Sequence, residues 1–366
     1  MRSFLLWVPI AIILLLSACN ADYRPISIGP IDEVIVVMDS TDWDSETALA
    51  IEETFGKLIG TLPTAEPTYK LIFRDFSTNE ELDNLREHKN IIFASTLDDD
   101  NNVASLIRAI LSDEIEERVR QGESFAFPLQ DRWVRDQWTL LLTSTSDLEL
   151  SEKILNSESS LVGNLMDLEF QRRTAELFRR GEQVAISDSL WKKYGWSVRM
   201  QHDYTQSVDV DDVVVFKRYL PDNNRWMLAW WEDDVDNIDF LDSEWINAHR
   251  DSLLHQYLRG EREESYITTE YRRPVITDEM VRSDHIMGFE TLGTWMMTND
   301  FMGGPFVNFT YYDPQTERLF MIEYGQFAPS VTKRTFVRQF RAMGRTFQAD
   351  STWGELDQAI ITDLQN

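Results

Sequence analysis

Residues 33–38 read Glu-Val-Ile-Val-Val-Met, EVIVVM, and this run decides the fold. Its apolar residues are consecutive and mostly β-branched, so neither face of a strand made from them is polar. Such a strand is buried on both sides, as in a sheet covered by helices. The flanking sequence agrees. Thr41 or Asp42 is placed to cap the next segment, where Ala48, Ile51, Phe55, Leu58 and Ile59 recur at helical spacing. Strands are predicted at 69–73 and 90–94, helices at 79–87 and 103–111, so strand and helix alternate. Asp131 to Trp138 leads into a predicted strand at 139–143. A long helical stretch runs over 148–181, with Leu161, Leu165 and Leu168 on one face.

The second half changes character. Strands are predicted at 196–200, 213–219 and 226–231, with the turn Pro-Asp-Asn-Asn at 221–224 between the last two. Asp242 or Ser243 caps a helix through Leu258. Segments 306–312 and 319–324 flank Asp313-Pro314-Gln315-Thr316, a hairpin by its turn chemistry. A final helix covers 332–347. The expected fold class is α+β or α/β, with two sheet-plus-helix subdomains. An N-terminal α/β subdomain spans 33–185, a C-terminal α+β subdomain with a largely antiparallel sheet spans 186–350, and a tail covers 351–366. The phrases MDSTDW at 38–43 and LDSEW at 241–245 each open a helix, which hints at a repeated unit.

The start of the chain concerns location. Arg2 precedes an apolar run from Phe4 to Leu16, about 20 Å long as a helix and too short for a hydrocarbon core of about 30 Å. Leu16-Ser17-Ala18-Cys19 follows, containing the sole cysteine. A charged end, a short apolar stretch and small residues before a cleavage point make a secretory signal peptide, here residues 1–18. The four residues resemble the bacterial lipobox, in which the cysteine thiol takes a diacylglyceryl group. The alternative is an ordinary leader with an unmodified cysteine. Acylation of Cys19 exceeds the single chain that gives only marginal membrane binding. Residues 19–32 then form a lipidated tether. Asn20, in place of aspartate, favours the outer membrane. The expected partners are the membrane, through the lipid, and an envelope protein.

Cleavage leaves about 350 residues, more than one hydrophobic core usually serves. The 12 tryptophans and 20 phenylalanines supply ample core. A net charge of −28 repels phosphate backbones, so nucleic acid is a poor partner.

Motifs for catalysis are missing. There is no nucleophile elbow, zincin motif, P-loop or dinucleotide fingerprint. His249 and His255 share a predicted helix but lie about 240° apart and do not converge on a metal. Asp251 and His255 are spaced to touch as an exposed pair. Of the acidic runs at 98–100 and 232–244, the second lacks the glycine and alternate spacing of a calcium loop, and both read as solvated loops. No cofactor and no metal are expected. Gly303, Gly304, Pro305 and Phe306, with Trp295 nearby in sequence, form a candidate binding loop, or else a tight turn entering a strand. On the final helix Arg334, Arg338, Arg341 and Arg345 oppose Phe336, Phe340, Met343 and Phe347. That stripe is a candidate surface for an anionic partner or lipid headgroup, unless the chain's own carboxylates take it or it simply stays solvated.

Four features resemble a family of uncharacterised lipoproteins from Bacteroidota and related bacteria, a domain-of-unknown-function family. They are the lipobox, the approach Trp133 to Trp138, LWKKYGW at 190–196 and FMGGPFVNF at 301–309. An arginine often found in that family before Gly293 and Trp295 is missing from ETLGTW here. The resemblance spans nearly the whole mature chain and implies no activity. The expectation is a lipid-anchored envelope protein of binding or assembly function, without an enzymatic site. The rival is a periplasmic enzyme whose site is assembled from carboxylates distant in sequence, with Asp131, Asp136, Glu290 and Asp300 as acid/base candidates.

Overall fold

In a computed structural model of the chain, residues 22–179, 181–220 and 222–352 are described. The expected leader and Cys19 lie outside them, as do positions 353–366. The chain divides into two compact units, one of residues up to Gly56 together with Tyr69–Leu165, the other of Lys57–Thr68 together with the residues from Met166 onward. The division falls inside the long helix Glu158–Arg179, earlier in the chain than the boundary expected near 181–190.

The first unit is built on β1 (Glu33–Val37), β2 (Lys70–Arg74), β3 (Asn90–Ala94), β4 (Ala126–Gln130) and β5 (Trp138–Leu142), in the order β2-β1-β3-β5-β4. All pairs are parallel except β4 with β5. Ile35, Val37, Ile91, Phe93 and Leu141 face one cluster, filled by Leu82 and Leu85 from the helix Asn79–Arg86 and by Val103 and Ile107 from the helix Asn102–Ile110. Val34, Val36, Ile92 and Leu140 point the other way and are equally buried. The helices Glu46–Phe55 and Asp147–Asn156 pack on each other, and Phe55 meets Trp138 of β5 at 6.2 Å between ring centroids. The EVIVVM run is thus the buried parallel strand its composition dictates. The cap of the helix Glu46–Phe55 differs from expectation. Ser45 accepts from the Ala48 amide, while Thr41 and Asp42 sit in a preceding 3₁₀ turn capped by Asp39. A helix at Asp113–Arg120, almost wholly charged, was not foreseen.

Residues assigned to the tether are partly tied to this unit. The Arg135 amide donates to Pro25 O, the Ser27 amide to Arg135 O, the Ile28 amide to Glu87 O, and the Lys89 amide to Ile28 O. The tether expected over 19–32 is therefore fixed from Pro25 onward.

The second unit has as its first strand a two-residue β6 (Trp196–Ser197), where a longer strand was expected. Its main sheet holds β7 (Thr205–Val210), β8 (Val213–Arg218), β9 (Asn224–Glu232), β10 (Ile267–Thr269), β11 (Ile276–Met280), β12 (Met287–Met297), β13 (Gly303–Asp313) and β14 (Arg318–Phe327), while β15 (Gln348–Ala349) pairs with β6. The order is β10-β12-β13-β14-β9-β8-β7, with β11 also on β12, and every pair is antiparallel. Alternate residues feed two cores. Val214, Phe216, Val307, Phe309, Tyr311 and Ile322 meet Val337, Phe340 and Met343 of the helix Arg334–Gly344. Val213, Val215, Leu228, Phe306 and Met321 meet Ile246, Leu253 and Leu254 of the helix Ser243–Tyr257. The helix Val184–Tyr194 ends at Gly195, whose φ of 71° supplies the left-handed cap that glycine adopts without penalty. The hint of a repeat is not met, since one sheet is mainly parallel and the other wholly antiparallel. The MDSTDW phrase forms a 3₁₀ turn, whereas Asp242 in LDSEW is a true N-cap, accepting from the Trp245 amide at 2.8 Å.

Candidate functional site

The proposed binding loop is not a loop. Gly303, Gly304, Pro305 and Phe306 all lie within β13, paired to Met296, Trp295, Thr294 and Gly293 of β12. Phe306 and Trp295 are buried. The Trp295 indole Nε1 donates to Gln326 O at 3.1 Å, passing over Gly304 to do so. A Cβ on Gly304 would stand 1.9 Å from that carbonyl and 3.0 Å from the indole nitrogen. The glycine is there for close approach within the sheet, not for a ligand.

The arginine stripe is likewise occupied from within. Arg334 and Arg338 are buried, against the expectation of an open face. Arg334 donates to Pro67 O, while Arg338 donates to Glu169 Oε1 at 2.6 Å and to Thr68 O at 2.6 Å. Arg341 forks onto Glu290 at 2.9 and 2.7 Å, and Arg345 adds a third bond to Glu290 at 3.3 Å. Burial pushes the Glu290 carboxyl up, but the two guanidiniums outweigh it and hold it below its ordinary range. Such a carboxylate is an ion-pair partner and a poor proton donor near neutrality. The two arginines and Glu290 line a cleft of about 500 Å³ with Arg282 and Asp284.

The other acid/base candidates do not join it. Asp131 and Asp136 belong to the first unit, Glu290 and Asp300 to the second. Asp136 is bonded by Lys89 at 2.6 Å, and Asp131 accepts the Gln137 amide at 2.9 Å. Within the second unit, Glu290 is central in β12 and Asp300 lies beyond its end, roughly 20–30 Å away at about 3.3 Å per residue. Asp251 does not turn to His255. It accepts from Thr269 and Tyr271, while His255 packs on Tyr266. Among the described residues, no three His, Cys, Asp or Glu are arranged to hold a metal ion.

Two clefts arise from residues that sequence reasoning missed. In the first unit, the order β2-β1-β3 reverses direction at β1, and ligands of open parallel sheets bind outside the carboxyl ends of strands at such a point. A crevice of about 390 Å³ lies there, lined by Met38, Asp42, Ser95, Asp99, Thr145 and Asp147 among others. Asp147 accepts the Glu46 and Thr47 amides, and Asp99 accepts the Thr96 amide and the Ser95 hydroxyl. Burial, with Asp99, Asp39 and Asp147 nearby, raises the Asp42 carboxyl above its ordinary range. The parallel alternation was the available signal for this crevice.

In the second unit, a cleft of about 730 Å³ is lined by Arg173, Glu176, Gln201, His202, Arg218, Arg225 and Gln339 with their neighbours. Arg218 ends β8 and Arg225 opens β9, directly opposite each other. No sequence pattern marks them, because the hairpin brings them together and burial makes them matter.

Comparisons with known proteins bear on identity alone. No curated protein matches the chain. Among solved structures, the Ran-binding protein Mog1p of Saccharomyces cerevisiae is 11% identical over 43% of this chain and 90% of its own, at a TM-score of 0.30. A mutant of the protein Mog1 is 10% identical over 42% and 90%, at 0.29. Likenesses this distant support no statement on fold or function. Residues 27–178 match the family model described as Domain of unknown function (DUF8532), and residues 183–346 match Domain of unknown function (DUF4837). The two matches follow one another along the chain, and each covers less than half of it.

Proposed function

We propose that this is a lipid-anchored protein of the bacterial envelope, at the outer membrane, with a binding or assembly role and no reaction of its own. The observation that carries the anchor is the sequence Leu16-Ser17-Ala18-Cys19-Asn20 directly after a short apolar run. No helix among the described residues is long and apolar enough to cross a membrane. The non-catalytic reading is supported by the state of the carboxylates. Glu290 is neutralised by two arginines, Asp136 is held by Lys89, and the four sequence candidates are divided between two units. Cys19→Ser is the test. The protein should move from the membrane to the soluble fraction, and labelled palmitate should no longer be incorporated. Unchanged fractionation would refute the anchor.

One observation favours a second reading, a periplasmic enzyme. The crevice at the carboxyl ends of the parallel strands gathers several carboxylates, and burial with its acidic neighbours raises the Asp42 carboxyl above its ordinary range. Asp42 would be its general acid or base. A substrate screen comparing the native chain with Asp42→Asn separates the readings, since an activity lost in the variant supports the enzyme.

A further inference from the structure

We propose that the second unit binds a small anion bearing carboxylate or phosphate groups in the cleft cornered by Arg218 and Arg225. The inference stands apart from the lipid anchor and from the crevice of the first unit.

Each arginine is more than nine-tenths buried, with relative exposures of 7% and 6%. They are cross-strand neighbours, and like charges directly opposite one another destabilise a sheet unless something lies between them. Little does. Arg225 donates to Asn223 Oδ1 at 3.2 Å, to Gln201 Oε1 at 3.3 Å and to Gln339 Oε1 at 3.1 Å, all neutral acceptors. Arg218 reaches the same Gln201 oxygen at 3.4 Å and His202 Nε2 at 3.3 Å. Its carboxylate contact, Asp203, is 3.7 Å away and mostly exposed. Arg218 Nε and His202 Nδ1 are buried without a partner among the described residues. Burial, reinforced by the charge of Arg218, pushes the Arg225 guanidinium down to about 10.

A buried cation without a counter-ion costs free energy that other parts of the fold have to offset. Elsewhere this chain supplies carboxylates freely. Glu290 takes Arg341 and Arg345, and Glu323 takes Arg250. At this cleft it places glutamines 201 and 339 instead. Glu176 is the carboxylate on the wall. The other wall cation, Arg173, pairs with Glu169, which also takes Arg338. The face of Arg225 lies 4.3 Å from the Phe336 ring centroid, which fixes its plane, and with Nε and Nη1 given to Asn223, Gln201 and Gln339 its Nη2 is left for a ligand. Guanidinium edges match the paired oxygens of carboxylate and phosphate, and two of them favour a multiply charged group. The volume suits a small metabolite.

The test uses the processed chain in detergent, with inorganic phosphate and citrate as probes, read by melting temperature and by calorimetric titration. At least one probe should raise the melting temperature and bind saturably, with affinity falling as salt rises. Arg225→Gln should weaken binding about tenfold or more. Gln201→Glu keeps both guanidiniums and adds a carboxylate at the atom they share, so it should raise the melting temperature of the free protein and abolish binding. The proposal is overturned if neither probe binds at millimolar concentration, if Arg225→Gln binds as well as the native chain, or if Gln201→Glu melts lower. Binding seen only after removal of residues 353–366 would assign the site to the chain's own acidic end, and would equally overturn an external ligand.

Discussion

His249 lies against two indoles. Trp245 stacks on it at 4.6 Å and 8°, and Trp230 stands 4.1 Å away at a tilt. Its Nε2 is buried with no hydrogen-bond partner among the described residues, and burial pushes its pKa down to about 4. The fold therefore holds the neutral ring, while the unfolded chain takes up a proton near 6.5. With more protons bound in the unfolded state, stability falls as pH drops from about 7 towards 4, by on the order of 2 kcal/mol once partial exposure is discounted. Denaturant midpoints measured across that range should show the slope, and His249→Phe should flatten it. The sequence places His249 and His255 apart on one helix, and they are apart. It could not reveal the indoles together, because Trp230 comes from β9. Gly304 teaches the same lesson in reverse. The motif was legible as special, but its reason, an indole crossing to the Gln326 carbonyl, depends on the neighbouring strands. Gly304→Ala should cost about 3 kcal/mol in chemical denaturation, or prevent folding.

Elements are joined by charge as well as by apolar packing. Arg250, on the helix Ser243–Tyr257, is buried and forks onto Glu323 of β14 at 2.8 and 2.7 Å. The Phe306 ring centroid lies 3.4 Å from its guanidinium carbon, and Thr269 and Asp251 take a further edge. Removing one partner leaves the other charged and buried. Arg250→Met should therefore cost about 3–5 kcal/mol, and adding Glu323→Leu should recover much of it. A double-mutant cycle by urea denaturation checks both. Legibility at this scale followed burial. β1, β3, β5, β8, β9, β13 and β14 are apolar runs and were visible. β7, with the sequence TQSVDV, is an exposed edge that carries no such signal. β12 was missed because Gly288, Glu290, Thr291 and Gly293 interrupt its apolar pattern, although its neighbours bury most of it. The final helix was legible, but its arginine face was not. The carboxylates that cover it sit more than 50 positions away in sequence.

At the scale of the whole molecule, the two units are not contiguous stretches of the chain. Residues 57–68 lie in the first half of the chain yet belong to the second unit. They do chemical work there. Both oxygens of Glu66 accept amides at the start of the final helix, from Lys333 at 2.7 Å and Arg334 at 2.9 Å, where no residue of the helix itself provides a cap. Thr61 O accepts the Thr294 hydroxyl at 3.0 Å. Glu66→Ala should cost about 1–2 kcal/mol by thermal or chemical denaturation, the usual loss for a removed cap. A fragment beginning at residue 166 should be less stable than the second unit within the intact chain, by at least that amount. The sequence predicted two subdomains and their sheet types, but contiguous segments were all it could offer. A cap supplied across more than 260 positions leaves no local trace.

The fastening of Pro25 to Ile28 onto the first unit sets a length. Between Cys19 and Pro25 the backbone extends at most about 20 Å, less than the diameter of a small domain. With the lipid on Cys19, as proposed, the first unit is moored on a leash too short to let it tumble away. Such a protein samples a thin layer of fluid beside its own bilayer, and whatever it binds has to come there.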